Sequence, residues 1–445
     1  MSSHEHSKIE SILTKTSNSC VKCGKCVPTC TIHSINQDET TSPRGYLDLV
    51  RAYADGKLAM DLNLKNAVES CFLCTTCVSV CPMSLPVDVV ITKARVDIAK
   101  IYGIPFYKRA AFFLLSKRPI LNIVFSLGAS FSFCAFKKDG DKSILRFSFK
   151  GFKDRVMFPL NKKSFLQSYP AEIKAKTTTD FKHTTLKHNK VAIFIGCLAN
   201  YNYTGVGKSL VDILQFLGID VAIPKKQACC SAPAYFSGDL KTTVKSIRFN
   251  VKYLGEFVDK VDAFLIPEAT CAAQVITDWE HALNLDTEVN GTDNKALIES
   301  LKKITSKTYL ASKWLHDFTN LDSILKTKKI SNTTVTYHDP CHAKKVLKVY
   351  KEPRNLLQNY PVVEMEGSDT CCGFGGVTLQ SEKYGLAIKV GDNKAKLIKA
   401  TNADYVSAEC SACRMQIDNA LYRNDIKTKF AHPLELLAKA LFSSP

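Results

Sequence analysis

Two short cysteine runs carry the most definite chemistry in the chain: Cys20-x2-Cys23-x2-Cys26-x3-Cys30 and Cys71-x2-Cys74-x2-Cys77-x3-Cys81-Pro82. Two-residue gaps let one loop wrap three thiolates around a small iron–sulfur cube, while the fourth, offset cysteine of each run reaches the other cube. This spacing assigns Cys20, Cys23, Cys26 and Cys81 to one [4Fe–4S] cluster, and Cys71, Cys74, Cys77 and Cys30 to a second. Structural zinc usually takes two C-x2-C pairs far apart, not four cysteines in one eleven-residue stretch, twice. Crowding this tight also suits metal better than disulfides. Thr31 stands where the second run has Pro82, a departure that leaves the ligands intact.

A second set of cysteines repeats along the other half of the chain. Val191–Ile195 is an apolar run ending in Gly196-Cys197, followed by Cys229-Cys230 and Cys271; Val335–Tyr337 leads into His338-Asp339-Pro340-Cys341-His342, followed by Cys371-Cys372, Cys410 and Cys413. Cys230 to Cys271 and Cys372 to Cys413 are both 41 positions apart, which argues for a duplicated module. Five thiolates in the second copy (Cys341, Cys371, Cys372, Cys410, Cys413) exceed what one zinc or one cube needs. They point to a non-cubane iron–sulfur centre, or to a cube with a spare thiol. Gly373, Gly375 and Gly376 let backbone N–H groups approach the sulfurs and tune the cluster. In the first copy Glu268 stands at the Cys410 position, and Ser231 and Ala232 replace Gly373 and Phe374. Its remaining Cys197, Cys229, Cys230 and Cys271 could hold a cluster, or the module could be a structural or partner-binding relic. His338 and His342 flank Cys341, where they could tune a cluster, relay protons or make ordinary loop hydrogen bonds.

The elements that position these residues follow from periodicity. Ser42-Pro43-Arg44-Gly45 makes a turn, and Tyr46–Met60 and Pro86–Tyr102 have helical patterns. Each later copy reads as strand, cysteine loop, helix, strand, cysteine pair, helix, strand, final cysteine loop. The cysteines therefore fall at strand ends, where open α/β sheets place their ligands. Residues 285–332 read as charged and helical, and the tail after Cys413 as closing helices. Gly205-Val206-Gly207-Lys208-Ser209 imitates a phosphate loop, but Asn202 occupies a required glycine position, so the segment predicts a helix start.

Length and charge bound the rest. A chain of 445 residues has room for two or three domains. Thiolate ligation of iron needs reduced cysteines, which suits the cytoplasm, and the start MSSHEHSKIESILTK lacks the apolar core of an export signal. The excess of 60 Lys+Arg over 42 Asp+Glu suggests an anionic partner. Much of it falls at Lys137, Lys138, Lys142, Arg146, Lys150, Lys153, Arg155, Lys162 and Lys163, which equally describe a solvated face. Just before them, Ala110–Phe136 is rich in Phe, Leu and Ile but is interrupted by Lys117-Arg118-Pro119, too short for a spanning helix. It reads as a buried or interfacial helix pair, either docking on an anionic bilayer or packing between domains, with Cys134 as a buried apolar residue. Nucleic acid is not expected as a partner, because the basic residues lack interleaved aromatics or a binding motif.

With Ser42–Gly45 (SPRG), Gly196–Asn202 (GCLANYN), His338–His342 (HDPCH), Cys371–Gly376 (CCGFGG) and His432–Leu441 (HPLELLAKAL), nearly the whole chain resembles the iron–sulfur subunit of anaerobic glycerol-3-phosphate dehydrogenase. It is similar too to the iron–sulfur subunits of glycolate and lactate oxidases and to the cysteine-rich iron–sulfur subunit of heterodisulfide reductase. The resemblance implies a multidomain α+β and α/β chain. A mostly helical ferredoxin-type domain with two [4Fe–4S] clusters would occupy 1–105, and an apolar and basic linker with a membrane-surface contact 106–188. An incomplete first cysteine-rich CCG module would occupy 189–284, a helical connection 285–332, and a second CCG module with closing helices 333–445. It also implies an electron conduit, peripheral on the inner face of the cytoplasmic membrane. A flavoprotein subunit carrying the flavin would oxidise glycerol 3-phosphate or a 2-hydroxy acid such as glycolate or lactate, and electrons would pass to membrane quinone. The alternative is cleavage of a disulfide at the second CCG cluster.

Overall fold

The computed structural model describes residues 11–139, 142–146, 155–175, 186–328, 330 and 332–442. At the N-terminal end, four helices surround the two cysteine runs: Ile12–Asn18, Pro43–Ala54, Leu62–Glu69 and Val87–Tyr102. The SPRG turn is a helix cap. The Ser42 hydroxyl accepts from the Gly45 N–H at 3.0 Å, Pro43 fills the first turn, and a Cβ on Gly45 would sit 1.9 Å from the Glu39 carbonyl oxygen. This helix ends at Ala54, not at Met60, because Gly56 turns the chain at φ 73°. Leu13, Tyr46, Leu47, Val50, Leu64, Val68, Val90, Ile91 and Ala94 form the shared core.

Helices Phe106–Ser116 and Arg118–Ser130 follow, meeting at 106° at Lys117, which leaves the helical region, with Pro119 in the first turn of the second helix. Among the described residues no single helix is long and apolar enough to cross a membrane, and only this bent pair reaches that length and composition together. One face of the pair is open: Phe106, Phe113, Ile120, Ile123, Val124 and Leu127 are exposed, as are Phe131 and Phe133 beyond it, while Lys108, Phe112, Arg118 and Leu121 are buried. Cys134 is exposed as well, correcting the expectation of a buried residue, because its short helix Ser132–Ala135 continues the open face. Strands β1 (Phe136–Asp139), β2 (Lys142–Leu145) and β3 (Val156–Met157) then form a small antiparallel sheet inside the stretch read as a linker. Asn419 holds β3 through both backbone groups of Val156.

The repeated halves are parallel sheets with helices between their strands. The first has the order β4-β6-β5-β7-β8, from Glu172–Ile173 (β4), Lys190–Ile193 (β5), Asp220–Ala222 (β6), Ala263–Ile266 (β7) and Thr308–Leu310 (β8). Only β4 runs antiparallel. The second is β11-β10-β9, all parallel, from Val335–Tyr337 (β9), Tyr405–Ser407 (β10) and Lys429–Ala431 (β11). Two expectations change here. The stretch read as a helical connection contributes β8, and the closing tail contributes β11, each flanking its module's last cysteine-bearing strand. Conversely, the strand expected before Cys371 shrinks to a single bridge between Val335 and Val362, next to Pro361, which has no N–H to extend a ladder. The false phosphate loop is the start of helix Thr204–Phe216, and Gly207 is small because a Cβ there would strike Ile195 and Phe165 at 2.6 Å.

Candidate functional site

Four groups of cysteines organise the molecule, and the first two line hollows. Cys20, Cys23, Cys26 and Cys81 line one together with Pro43, Leu85 and Val87; Cys30, Cys71, Cys74 and Cys77 line the next with Tyr46, Phe72 and Leu73. Cys77 borders both. Burial pushes the Cys30 thiol up to about 11 and Cys71 up to about 12, with neighbouring cysteines adding to both. Thiols held this way lose their protons when a cation takes their place, which is the behaviour of a metal donor set. Asp88 lines the second hollow as well, but the other metal-binding side chains around the two hollows are sulfurs, a donor set that fits iron–sulfur cubes.

The loops after β9 and β10 bring the second module's five cysteines together. Cys372 Sγ lies 3.2 Å from Cys413 Sγ, and Cys410 Sγ accepts the Cys413 N–H at 3.4 Å. Gly373, at φ 91°, donates its N–H to Cys371 Sγ at 3.4 Å, the backbone contact that the glycine run suggests. Two lysines absent from the sequence-level site stand beside these sulfurs. Lys394 is buried against the Gly367 and Ser368 carbonyls, and Lys345 bonds the Asp369 carbonyl at 2.8 Å. His338 adds a nitrogen: its ring and the sulfurs of Cys372 and Cys413 lie within 4.8 Å of one another. Its Nδ1 faces the Ser368 carbonyl at 3.0 Å, so Nδ1 carries the proton, and Nε2 has no hydrogen-bond partner among the described residues. Burial, with Lys394 adding, pushes its pKa down to about 3 and keeps the ring neutral. His342 instead stacks on Phe236, with ring centroids 5.7 Å apart.

The first module repeats this pattern with four thiols. Cys230 Sγ lies 3.4 Å from Cys271 Sγ, and hydrogen bonds link Cys229 to both Cys197 and Cys230. Ser231 takes the place of Gly373 at φ 73° and makes the same N–H to sulfur bond, to Cys229 at 3.4 Å. Glu268 does not mimic the missing thiolate. It turns to the second module, where Oε2 accepts the Ser411 N–H at 2.7 Å and Oε1 accepts the Ser411 hydroxyl. Burial pushes its pKa up to about 7, against those two hydrogen bonds.

The second cube's loop adjoins the second module. Cys74 touches Thr76 at 3.3 Å, and Lys345 bonds Thr76 at 2.5 Å on its way to the second module. A cleft of about 660 Å³ beside this contact is lined by Cys30, Cys371, Lys344, Lys345, Lys348 and Lys394 among others. On the far side, the two modules meet at their cysteine loops: Thr270 lies 3.5 Å from Cys410 Sγ, and the Ala269 N–H bonds the Glu409 carbonyl at 2.8 Å. Of the basic stretch, Lys137, Arg146, Lys162 and Lys163 are exposed, while Lys150 and Lys153 lie outside the described residues. Arg155 is half-buried over the Tyr384 ring, 3.2 Å from its centroid.

Comparison with known proteins agrees with this arrangement. A 4Fe-4S dicluster domain matches residues 16–85, and a cysteine-rich domain, CCG, matches twice, at 191–276 and 335–418. The probable glycolate oxidase iron–sulfur subunit of Bacillus subtilis is 28% identical over 440 residues, covering 95% of this chain and 93% of that protein. Lactate utilization protein A of Halalkalibacterium halodurans is 31% identical over 255 residues, covering 56% of this chain and 96% of that protein. An uncharacterized iron–sulfur protein of Methanococcus maripaludis is 32% identical over 235 residues, 52% of this chain and 42% of its own length. With both kinds of cysteine site matched in order, the chain belongs to the family of iron–sulfur proteins that join a 4Fe-4S dicluster domain to paired cysteine-rich CCG domains.

Proposed function

We propose that this chain is the electron-transfer subunit of a flavin-dependent dehydrogenase acting on a 2-hydroxy acid such as glycolate or lactate, or on glycerol 3-phosphate. It takes electrons from a flavoprotein partner and delivers them to quinone at the membrane. The names of the related glycolate and lactate proteins support the hydroxy acids. In this reading Cys20, Cys23, Cys26 and Cys81 hold one [4Fe–4S] cluster, Cys30, Cys71, Cys74 and Cys77 a second, and Cys341, Cys371, Cys372, Cys410 and Cys413 a third centre. Such clusters supply one-electron carriers when bound. Cys372 and Cys413, with sulfurs 3.2 Å apart, would belong to one donor set for that third centre.

The observation that carries the proposal is the series: the second cube's Cys74, then Thr76 and Lys345, then the second module's sulfurs. The apolar helix pair, with Arg109, Lys117, Lys137, Arg146, Lys162 and Lys163 exposed in and after it, supports a seat on an anionic bilayer. The deciding experiment is anaerobic purification from native membranes. A co-purifying flavoprotein, with cluster absorbance bleached by glycolate or lactate, is the expected result; full iron with no flavin partner and no bleaching would sink the proposal. The cleft beside Cys371 supports a second reading, in which a disulfide substrate enters there and is cleaved at the second CCG centre. Release of thiol from a substrate disulfide would select it.

A further inference from the structure

Arg118 opens the second helix of the exposed apolar pair, yet its side chain turns inward and is only 9% exposed. Its Nε donates to the Gln227 carbonyl at 2.7 Å. Nη1 and Nη2, which carry four of the five guanidinium N–H donors, face the Tyr201 side chain and have no carbonyl or carboxylate opposite them among the described residues. The guanidinium lies 5.7 Å from the centroid of the Tyr201 ring, and the other groups facing it are Cys197 and Cys229. An arginine buried with its donors unmet is strongly unfavourable unless an anion stands opposite. Glu268, the carboxylate of this module's last loop, is engaged with Ser411 and leaves Arg118 without a countercharge. Burial works against the charge of Arg118, and Cys197, Tyr201 and Cys229 more than offset it.

The second module shows how its lysines differ. Lys394 and Lys345 also stand beside thiols, but each is tied to backbone carbonyls, so their hydrogen-bonding needs are met in the fold itself. Those of Arg118 are not. The orphaned donors face the one cysteine cluster, among the described residues, that the electron-transfer reading leaves without an assignment.

We propose that Arg118 is the countercharge and N–H donor of an anionic iron–sulfur centre held by Cys197, Cys229, Cys230 and Cys271, so that the exposed helix pair itself completes the first CCG site. The inference rests on the electron-transfer reading and extends it. The helix is seated there by two further contacts: Phe125 stacks on Tyr201 with centroids 4.6 Å apart, and the Tyr201 hydroxyl donates to Asn122 at 2.9 Å. The first centre thereby lies beside the helix pair that carries the apolar surface. Arg118 is a positioning residue: a fixed positive charge favours the reduced form of a nearby cluster.

The test uses the full chain, purified anaerobically, with iron and zinc measured and a mediated redox titration followed by electron paramagnetic resonance. The dicluster signals serve as the internal standard for folding. Cys229→Ser is expected to lower iron, leave zinc unchanged and remove one set of signals. Arg118→Met, which fills the same space without charge, is expected to move that same set to lower potential by about tenfold in the reduced-to-oxidised ratio, ~59 mV for one electron, or to remove it. Arg118→Lys, which keeps the charge, is expected to restore the iron and most of the shift. Iron unchanged in Cys229→Ser, zinc lost in place of iron, or Arg118→Met with full iron and unmoved potentials would each overturn the inference. All three outcomes leave the dicluster iron and the flavoprotein partner in place, so they are distinct from failure of the electron-transfer reading.

Discussion

Asp278 ends the helical turn Gln274–Asp278 that follows Cys271, with His281 3.8 Å away and Asp88 of the dicluster helix nearby. Burial pushes the Asp278 carboxyl up to about 6, with Asp88 adding and His281 opposing; His281 is itself raised, because Asp278 offsets its burial. A carboxyl raised in the folded state contributes stability below its unfolded value of 3.8, and loses it as pH rises through about 6. The raised histidine acts in the same sense, contributing below 6.5 and less above its folded value. Both groups therefore weaken the fold in the neutral to alkaline range. Asp278→Asn should raise the melting temperature at pH 8 and by roughly half as much at pH 5, which lies about midway between the unfolded and folded values, with the full effect bounded by roughly 3 kcal/mol for two pKa units. Circular dichroism melts at both pH values, run anaerobically, check this; an equal loss at both would mean that packing rather than charge governs the site. Asp278 was invisible in the sequence, because nothing local marks a carboxylate that a distant helix buries. Glu268 was half legible. Its position equals that of Cys410, but its partner Ser411 lies 143 residues away, so the sequence shows the substitution and not where the side chain turns.

Elements were legible where period and cap agree. Ser42-Pro43 starts the helix that ends at Ala54, and the pattern over Pro86–Tyr102 is the helix Val87–Tyr102. Strands β8 and β11 were not, since three-residue strands such as Thr308-Tyr309-Leu310 and Lys429-Phe430-Ala431 are too short to show alternation and are defined by pairing with a remote strand. Contact between elements was equally hidden. Gly238 sits at φ 81° against the helix Val87–Tyr102, where a Cβ would lie 2.2 Å from the Arg95 carbonyl oxygen. Arg95 crosses the same junction in the other sense, donating to the Phe236 carbonyl and the Cys71 carbonyl, both at 2.7 Å. This one contact pins the second cube's loop to the first module. Gly238→Ala therefore has to pull these elements apart, and overpacking against backbone at a left-handed residue should cost about 2–4 kcal/mol. Limited proteolysis would show faster cleavage around residues 236–239, and iron content would fall as the Cys71 loop loosens; wild-type melting and iron content would remove Gly238 from the junction's account.

At the scale of the whole molecule, chain order and packing order differ. The dicluster helices come first in sequence, and both modules touch them: the second through Lys345 and Thr76, the first through Phe236 and Arg95, while the two modules meet each other at Thr270 and Cys410. Duplication was readable from the repeated 41-residue spacing, yet docking order depends on which copy kept the lysines and glycines that fit the dicluster surface, and no local pattern encodes that. The apolar pair leans on both modules, through Lys108 and Glu382 on the second and through Asn122 and Tyr201 on the first. Ile123 is 62% exposed and Leu127 55% exposed, with exposed Lys117 and Arg109 flanking them, so water meets an apolar face of the kind that surface-bound helices bury in lipid. Seating one such side chain in a bilayer is worth about 1.5–3 kcal/mol, so Ile123→Glu or Leu127→Glu should each weaken binding to anionic vesicles by roughly tenfold or more. Replacing Lys162 and Lys163 with Gln should have a smaller effect that disappears at high salt, because exposed charges are screened there while apolar insertion is not. Cosedimentation with phosphatidylglycerol vesicles, compared with neutral phosphatidylcholine vesicles, separates the two contributions. Variants that bind as wild type would show that the apolar face meets protein instead, and the flavoprotein partner would then be the surface to map against it.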